Sequence, residues 1–486
     1  MTHPLVRRLR VAVSVVAVLC CGLPGTGHGQ TSIKLPDFGD ASGSVFTSND
    51  EQRLGDAFLR EIRASTEILE DPEVDAYVNA LGFRLAAASD APARPFTFVV
   101  VSDPVINAFA GPNGVIGLNT GLLVAVESES ELAAVVAHEI AHVTQQHIAR
   151  SFELQSRYSI PVLAGLLAAI VIGSQDAQAG GAATAAVIGA QAQGQLDAIR
   201  ANEYEADRVG IRTLSKAGFD PGAMATFFAR LQEASRYYRQ PPEFLSTHPV
   251  TSARIAESRA RAARHSYKQY PDSAGFLRVR AKLEVLINGP AKALDGFQRR
   301  IADGSGARPE VNQYGLALAL LAQERYARAR PILARLAKEH PRVLAYQDAH
   351  ARALRQTGET RAALEIYREA LRVYLNDRLM TFGLADLWMD ANRPARASEV
   401  LEAYVRAQGS DARAFHLLAK AHEREGRQTA ARAALAEHHY LNGRLGQAVF
   451  HLERAQRSPS DDYYLNARVA ARLKELRREQ SLRDDG

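Results

Sequence analysis

The sequence predicts two units in one chain: an α+β domain, mainly helical with a small sheet, followed by an all-α solenoid. Three observations predict it. Helical periodicity dominates residues 50–265 but gives way, between about residues 95 and 121, to short runs rich in β-branched and aromatic residues. Beyond residue 308, small and large apolar residues recur with a fixed period of 34. The chain of 486 residues, 47% hydrophobic and 23% charged, has globular composition yet is too long for one ordinary core.

The first segment, residues 1–29, differs in kind from the rest. Arg7, Arg8 and Arg10 precede the run VAVSVVAVLCCGL and the small-residue stretch PGTGHGQ, the layout of a secretory signal peptide cleaved near Gly29. The alternative is an uncleaved anchor, but this run of 13 residues is short of the roughly 20 that a spanning helix needs. Both cysteines, Cys20 and Cys21, fall inside it, so the exported protein is expected to carry no disulfide, thiol nucleophile or thiolate metal site. Without the three arginines the balance is 56 basic to 54 acidic residues, and nothing asks for a nucleic-acid partner. Residues 30–49, rich in Gly, Ser and Asp, are expected to be irregular.

Helices are expected from about Asp50 to Ser89, broken at EDPEV, where Pro72 can open a second helix. PFTFVVVSD (95–103) and GVIGLNTG (114–121) read as strands, with NAFAGPN between them as a turn. Ser128 and Glu131 have the spacing of a capping box ahead of the apolar run ELAAVVAHEIAHVTQQH. A further helix should run from about Asp197 to Ala217 and stop at Gly218, with Asp220 and Pro221 opening the next. Residues 160–194, apolar and rich in Ala and Gly, read either as a buried helical hairpin or as a lid or membrane-contacting segment.

Residues 266–308 look like a degenerate leading repeat or a connector. After them, Ala317, Ala351, Ala385 and Ala419 lie 34 residues apart, as do Ala329, Ala363, Ala397 and Ala431. Leu333, Tyr367, Leu401 and Leu435 keep the same register, and turns are expected at Glu324, Gly358, Asn392 and Gly426. That period is the signature of tetratricopeptide repeats, in which alanine lets paired helices approach closely. After Ala431 the pattern returns half a repeat early, at Tyr440, Gly443, Ala448, Leu452 and Ala455.

His138 and His142, at i and i+4, share one helix face, where both imidazoles can reach one tetrahedral ion. Glu139 lies beside them, placed to take a proton from water at that ion and pass it to a leaving amine. In RANEYEADRVG, Glu203 and Asp207 again share a face, so Glu203 can complete a His2Glu ligand set and Asp207 can fix the tautomer of a ligand histidine. Taken alone, Glu203, Glu205 and Asp207 would read as a solvated helix face; the upstream motif tips the balance. His147, five residues beyond His142, points off that face and reads as structural.

In order along the chain, NAFAGPNGVIGLNTGLL, ELAAVVAHEIAHVTQQH, NEYEADRVGI and THPVTSARI resemble the zinc metallopeptidases that include the membrane-embedded CAAX prenyl protease and its bacterial heat-shock relatives. With a signal peptide, no run of spanning length and a repeat array, the layout resembles a periplasmic branch of that family. The resemblance implies a zincin-like domain with one Zn2+ per chain, held by His138, His142 and Glu203, with Glu139 as general base and Asp207 behind a ligand. It also implies that His248 is an extra zinc ligand in a resting state, a role the residues alone would not suggest. GVIGLN is expected to be an edge strand that pairs with an extended substrate.

Implied partners are unfolded or misassembled outer-membrane β-barrel proteins, with the repeats contacting the barrel assembly machinery and at most peripheral contact with a membrane. A second reading makes the protein mainly a repeat-based chaperone or scaffold with rare, latent proteolysis. A membrane-integrated protease is disfavoured, since no run approaches spanning length.

Overall fold

Asp71, an N-cap whose carboxylate accepts from the amides of Glu73 and Val74, starts the second of two helices that open the computed structural model. The structure describes residues 48–152, 167–168, 192–235, 243–265, 268–305 and 308–484. The segments read as signal peptide and irregular linker lie outside the described residues, apart from Ser48 and Asn49, as does almost all of 160–194.

Helices α1 (Ser48–Ser65) and α2 (Pro72–Ala88) are followed by strands β1 (Thr97–Val101), β2 (Ala108–Ala110) and β3 (Val115–Asn119). Their order is β1-β3-β2, with β1 parallel and β2 antiparallel to β3. Two expectations change here. NAFAGPN is not only a turn, since Ala108–Ala110 forms a strand, too short for alternation to reveal. GVIGLN is the central strand, flanked on both sides, so β3 has no edge to offer. The outer side of β1 is covered by residues 67–69, through Leu69 N to Val100 O and Ser102 N to Glu67 O, which leaves β2 as the open edge among the described residues.

Then come α3 (Thr120–Ala125), α4 (Glu129–Thr144), α5 (His147–Phe152), α6 (Ala192–Lys216), α7 (Ala223–Ser235), α8 (Glu243–Thr247) and α9 (Ser252–Ala262). Ser128 caps α4 by accepting from Glu131 N, while the Glu131 carboxylate turns back to the backbone amides of Glu127 and Ser128. Leu132, Val136 and Ile140 of α4 join Val78, Leu85, Phe98, Leu118 and Phe227 in one core.

Helix α10 (Ala274–Asn288) belongs to two cores. Phe276, Val279 and Leu283 pack into the first, whereas Ala281 and Val285 pack into the next, with Phe297, Tyr314 and Leu320. Beyond it run α11 (Pro290–Ala302), α12 (Pro309–Ala322), α13 (Tyr326–Glu339), α14 (Leu344–Gln356), α15 (Thr360–Val373), α16 (Arg378–Asp390), α17 (Pro394–Gln408), α18 (Ala412–Arg424), α19 (Gln428–Leu441), α20 (Leu445–Arg457) and α21 (Tyr463–Asp484). The periodic alanines are buried at helix crossings, and all four expected turn residues have positive φ, 59° at Glu324, 84° at Gly358, 54° at Asn392 and 78° at Gly426.

The array bends back to the first helices. Arg378 of α16 bridges Asp75 of α2 and Asp411, Arg413 donates to the Glu70 carbonyl, and Arg63 of α1 donates to the Leu441 carbonyl at 3.0 Å. At Gly443, φ is 73° and a side chain would strike the Arg60 carbonyl, 2.1 Å from an added Cβ, so only glycine lets this turn seat on α1. Among the described residues no helix is long and apolar enough to cross a membrane.

Candidate metal centre

Glycine at position 210 brings the two motif helices together. A Cβ there would lie 3.2 Å from His138 N and 3.3 Å from the Ala137 carbonyl carbon, so α6 presses directly on the α4 backbone. Ala141, Ala206 and Val209 fill the rest of this contact. Asp207 and Glu203, about one and two turns earlier on α6, are thereby carried onto the face of α4 that holds His138 and His142.

Four side chains converge. His138 Nε2 lies 3.0 Å from His142 Nε2, 3.3 Å from His248 Nδ1 and 3.4 Å from Glu203 Oε2. Glu203 Oε1 lies 3.3 Å from His142 Nε2 and 3.1 Å from His248 Nδ1. One donor atom from each of the four lies within 4.8 Å of the others, and all four residues are buried or nearly so. Ligands about 2.0–2.1 Å from a tetrahedral ion stand about 3.3–3.4 Å apart, so this donor set fits such a cation.

The surrounding residues fix these donors. Asp207 Oδ1 is 3.0 Å from His138 Nδ1, which turns Nε2 towards the cluster. Arg254 of α9 grips Asp207 with two hydrogen bonds, 2.7 Å from Nε and 2.8 Å from Nη2, and its Nη1 is 2.8 Å from Glu203 Oε2. His147 Nδ1 is 2.8 Å from His142 Nδ1, and its Nε2 is 3.2 Å from Glu205 Oε2. The Phe244 ring stacks on His248 at 4.8 Å, and Phe244 N donates to the Ile106 carbonyl just ahead of β2.

The electrostatics follow from burial and close charges. Burial opposes the charge on Glu203, but His248, His138 and His142 overcome it and hold the carboxyl well below its usual range. Burial depresses His138 as well, yet the Asp207 and Glu203 carboxylates push it up to about 10, while burial drives His142 down to about 3. Glu139 is fully buried, with the Ala110 backbone amide beside its carboxylate, and burial raises its pKa. Its Oε1 lies 3.5 Å from His248 Nε2.

Every residue singled out in the sequence, His138, Glu139, His142, Glu203, Asp207 and His248, is thus in one cluster. His147 stands behind His142, ring nitrogen to ring nitrogen at 2.8 Å, beside the group of four donors. Sequence reading missed Arg254, Phe244 and the His147–Glu205 link. Arg254 stands in the quoted motif THPVTSARI, but no spacing rule connects an arginine on α9 to a carboxylate 47 residues earlier.

Comparison with known proteins agrees. Residues 72–262 match peptidase family M48 and residues 354–421 match the tetratricopeptide repeat. The chain is 35% identical over 446 residues to the "Putative beta-barrel assembly-enhancing protease" of Vibrio cholerae, covering 91% of this chain and 92% of that protein. It is 31% identical over 471 residues to the "Beta-barrel assembly-enhancing protease" of Escherichia coli, covering 97% and 96%. It is also 32% identical over 214 residues to the mitochondrial metalloendopeptidase OMA1 of Danio rerio, covering 42% of this chain and 43% of that one. The chain belongs to peptidase family M48, and within it groups with the β-barrel assembly-enhancing proteases, which it matches through the peptidase segment and the repeats alike.

Proposed function

We propose that this metallopeptidase is an exported, zinc-dependent endopeptidase of the periplasm that removes unfolded or misassembled outer-membrane β-barrel proteins and assists their assembly. The observation that carries the reading is the cluster of His138, His142, Glu203 and His248 donor atoms, all within 4.8 Å of one another, with the buried Glu139 carboxylate beside it. In chain order, residues 1–29 serve export, 30–49 form a linker, 50–265 the peptidase, 266–308 the connector and 309–486 the repeat array, which engages clients and the barrel assembly machinery.

His138, His142 and Glu203 would hold the zinc, which when bound would supply a Lewis acid to polarise the peptide carbonyl and acidify water. Glu139 takes up a proton and returns it to the leaving amine; its raised pKa, set by burial, suits a group that must both accept and give. Asp207, locked by Arg254, keeps the His138 ring in the ligating orientation. The open edge of β2 binds the substrate. Residues 107, 109 and 111 point their backbone groups to β3, and Ala108 is fully buried with its amide held by Asn107 Oδ1 at 2.9 Å, so it is at the half-buried Ala110 end of the strand that an extended chain would pair without regard to its sequence.

His248 is the fourth donor at rest and must leave for substrate to enter. This favours the second reading in part, a chaperone whose proteolysis is latent. Expected is that His248→Ala cleaves an unfolded barrel protein about tenfold or more faster than the wild type, while chelation of zinc stops both and added zinc restores both. Equal rates for His248→Ala and wild type, or cleavage insensitive to chelation, would contradict the reading.

A further inference from the structure

Four histidines stand in a row on the last helices of the array. His416 of α18 lies 4.9 Å from His438 of α19, ring centre to ring centre, and His438 lies 5.2 Å from His439. His439 in turn stacks on His451 of α20 at 5.0 Å, with the planes 13° apart. Nδ1 of His416 and Nδ1 of His439 are buried without a hydrogen-bond partner among the described residues, so neither nitrogen serves a structural bond. The row does not bring three donor atoms together as the metal centre does, and it is not a second metal site.

The surroundings of the row are cationic. Burial lowers the pKa of His416, His439 and His451, that of His439 to about 4, and neighbouring histidines and cations add to it: Lys420 and Arg413 at His416, Arg444 at His439, Arg454 and Arg432 at His451. Arg432 donates to the Arg454 carbonyl at 2.8 Å, and Arg454 lies over the Phe450 ring at 5.6 Å. Neither of them, nor Lys420 or Arg444, forms an ion pair among the described residues. Of the carboxylates on the same helices, Glu437 and Glu453 turn to Arg472 and Arg477 of α21, and Glu423 stands in the last turn of α18. Even set against Lys420, Glu423 leaves Arg432, Arg444 and Arg454 uncompensated. Phe450, 47% exposed, stands edge-on to His451 at 5.4 Å in the midst of them.

The excess charge lies outside the concave part of the array. A cavity of about 670 Å³ opens among α17 to α21, but its lining carries four carboxylates against four arginines, and none of the four histidines lines it. We propose that the open face formed by this histidine row, Arg432, Arg444, Arg454 and Phe450 docks on an anionic, phosphate-bearing lipid surface. Such a surface presents many negative charges in one plane above an apolar layer, which matches unpaired cations set around one exposed aromatic ring. An acidic polypeptide supplies the charge without the apolar layer, and a groove would hold it better than an open face does. The imidazoles add a response to acid. Against an anionic surface a histidine charges more readily, so its pKa rises on docking, and the docked state gains as pH falls.

The test is flotation of the full-length protein with vesicles of phosphatidylcholine alone and with about one-third phosphatidylglycerol. The protein should float with the anionic vesicles and not with the neutral ones, and its affinity should rise about fivefold or more between about pH 7.5 and about pH 5.5. Arg444→Gln combined with Arg454→Gln should weaken binding about tenfold, while lysine at both positions should keep it. Phe450→Ser should weaken it about threefold or more. His439→Gln combined with His451→Gln should remove the response to acid and leave binding at the higher pH unchanged, with melting temperatures confirming that every variant folds. Equal binding to both kinds of vesicle, a double glutamine variant of the arginines that binds like the wild type, or an acid response that survives loss of the two histidines overturns the proposal. So does soluble polyglutamate that binds with the same dependence on Arg444 and Arg454 while vesicles do not, which would make the partner an acidic polypeptide. No readout involves cleavage, so the outcome is independent of the peptidase reading.

Discussion

Glu243 lies at the start of the short helix that carries the chain to His248, buried, with its Oε1 unpartnered among the described residues. Burial, with the Asp103 charge adding to it, pushes its carboxyl up to about 7. An ordinary glutamate titrates near about 4.3, so the folded state holds this proton more tightly than the unfolded chain does. The stabilisation it contributes is complete below about pH 4 and is lost as pH rises through 7. Melting temperatures of the wild type should therefore fall relative to Glu243→Gln by roughly 2–5 °C between pH 6 and 8; a constant difference would show that Glu243 does not titrate there. Neither Glu243 nor Arg254 was legible in the sequence. The metal donors were, because two residues four apart on a helix must share a face. Residues that act by meeting another segment, as Arg254 meets Asp207 and His147 meets His142, leave no periodic trace.

Among the elements, α10 changes most on seeing the structure. The sequence reads 266–308 only as a worn repeat or connector, yet its first helix supplies Phe276, Val279 and Leu283 to the core beneath α4. It is also pinned at its start, where Ser273 and Tyr77 donate to the Glu129 carboxylate in the first turn of α4. Phe276→Ala should cost about 3–5 kcal/mol in urea denaturation followed at the peptidase core, although the residue lies beyond the segment that matches the peptidase family. A loss under about 1 kcal/mol would mean that α10 is only a tether. The helices α1, α2, α4 and α6 were legible from caps, prolines and periodicity, and β1 and β3 from their β-branched runs. Strand β2 was not, because three residues between Asn107 and Gly111 carry no period.

For the whole molecule, the repeat register was legible to the residue, since crossing alanines and left-handed turns are demanded locally in every unit. The return of the array to α1 and α2 was not, because it depends on long-range contacts made by single residues such as Arg378, Arg413 and Gly443. Arg378→Ala removes one tie between the repeats and α2, and should cost about 1–3 kcal/mol. Hydrogen exchange should rise around residues 70–75 and 411–414, and unchanged exchange there would show that Arg378 holds nothing together. The most direct test of the metallopeptidase site is zinc content and cleavage of an unfolded polypeptide, measured together on the wild type and on Glu139→Gln. One zinc per chain in both, with cleavage falling about 100-fold or more in the variant, is the predicted result; a variant that cuts at the wild-type rate would contradict it.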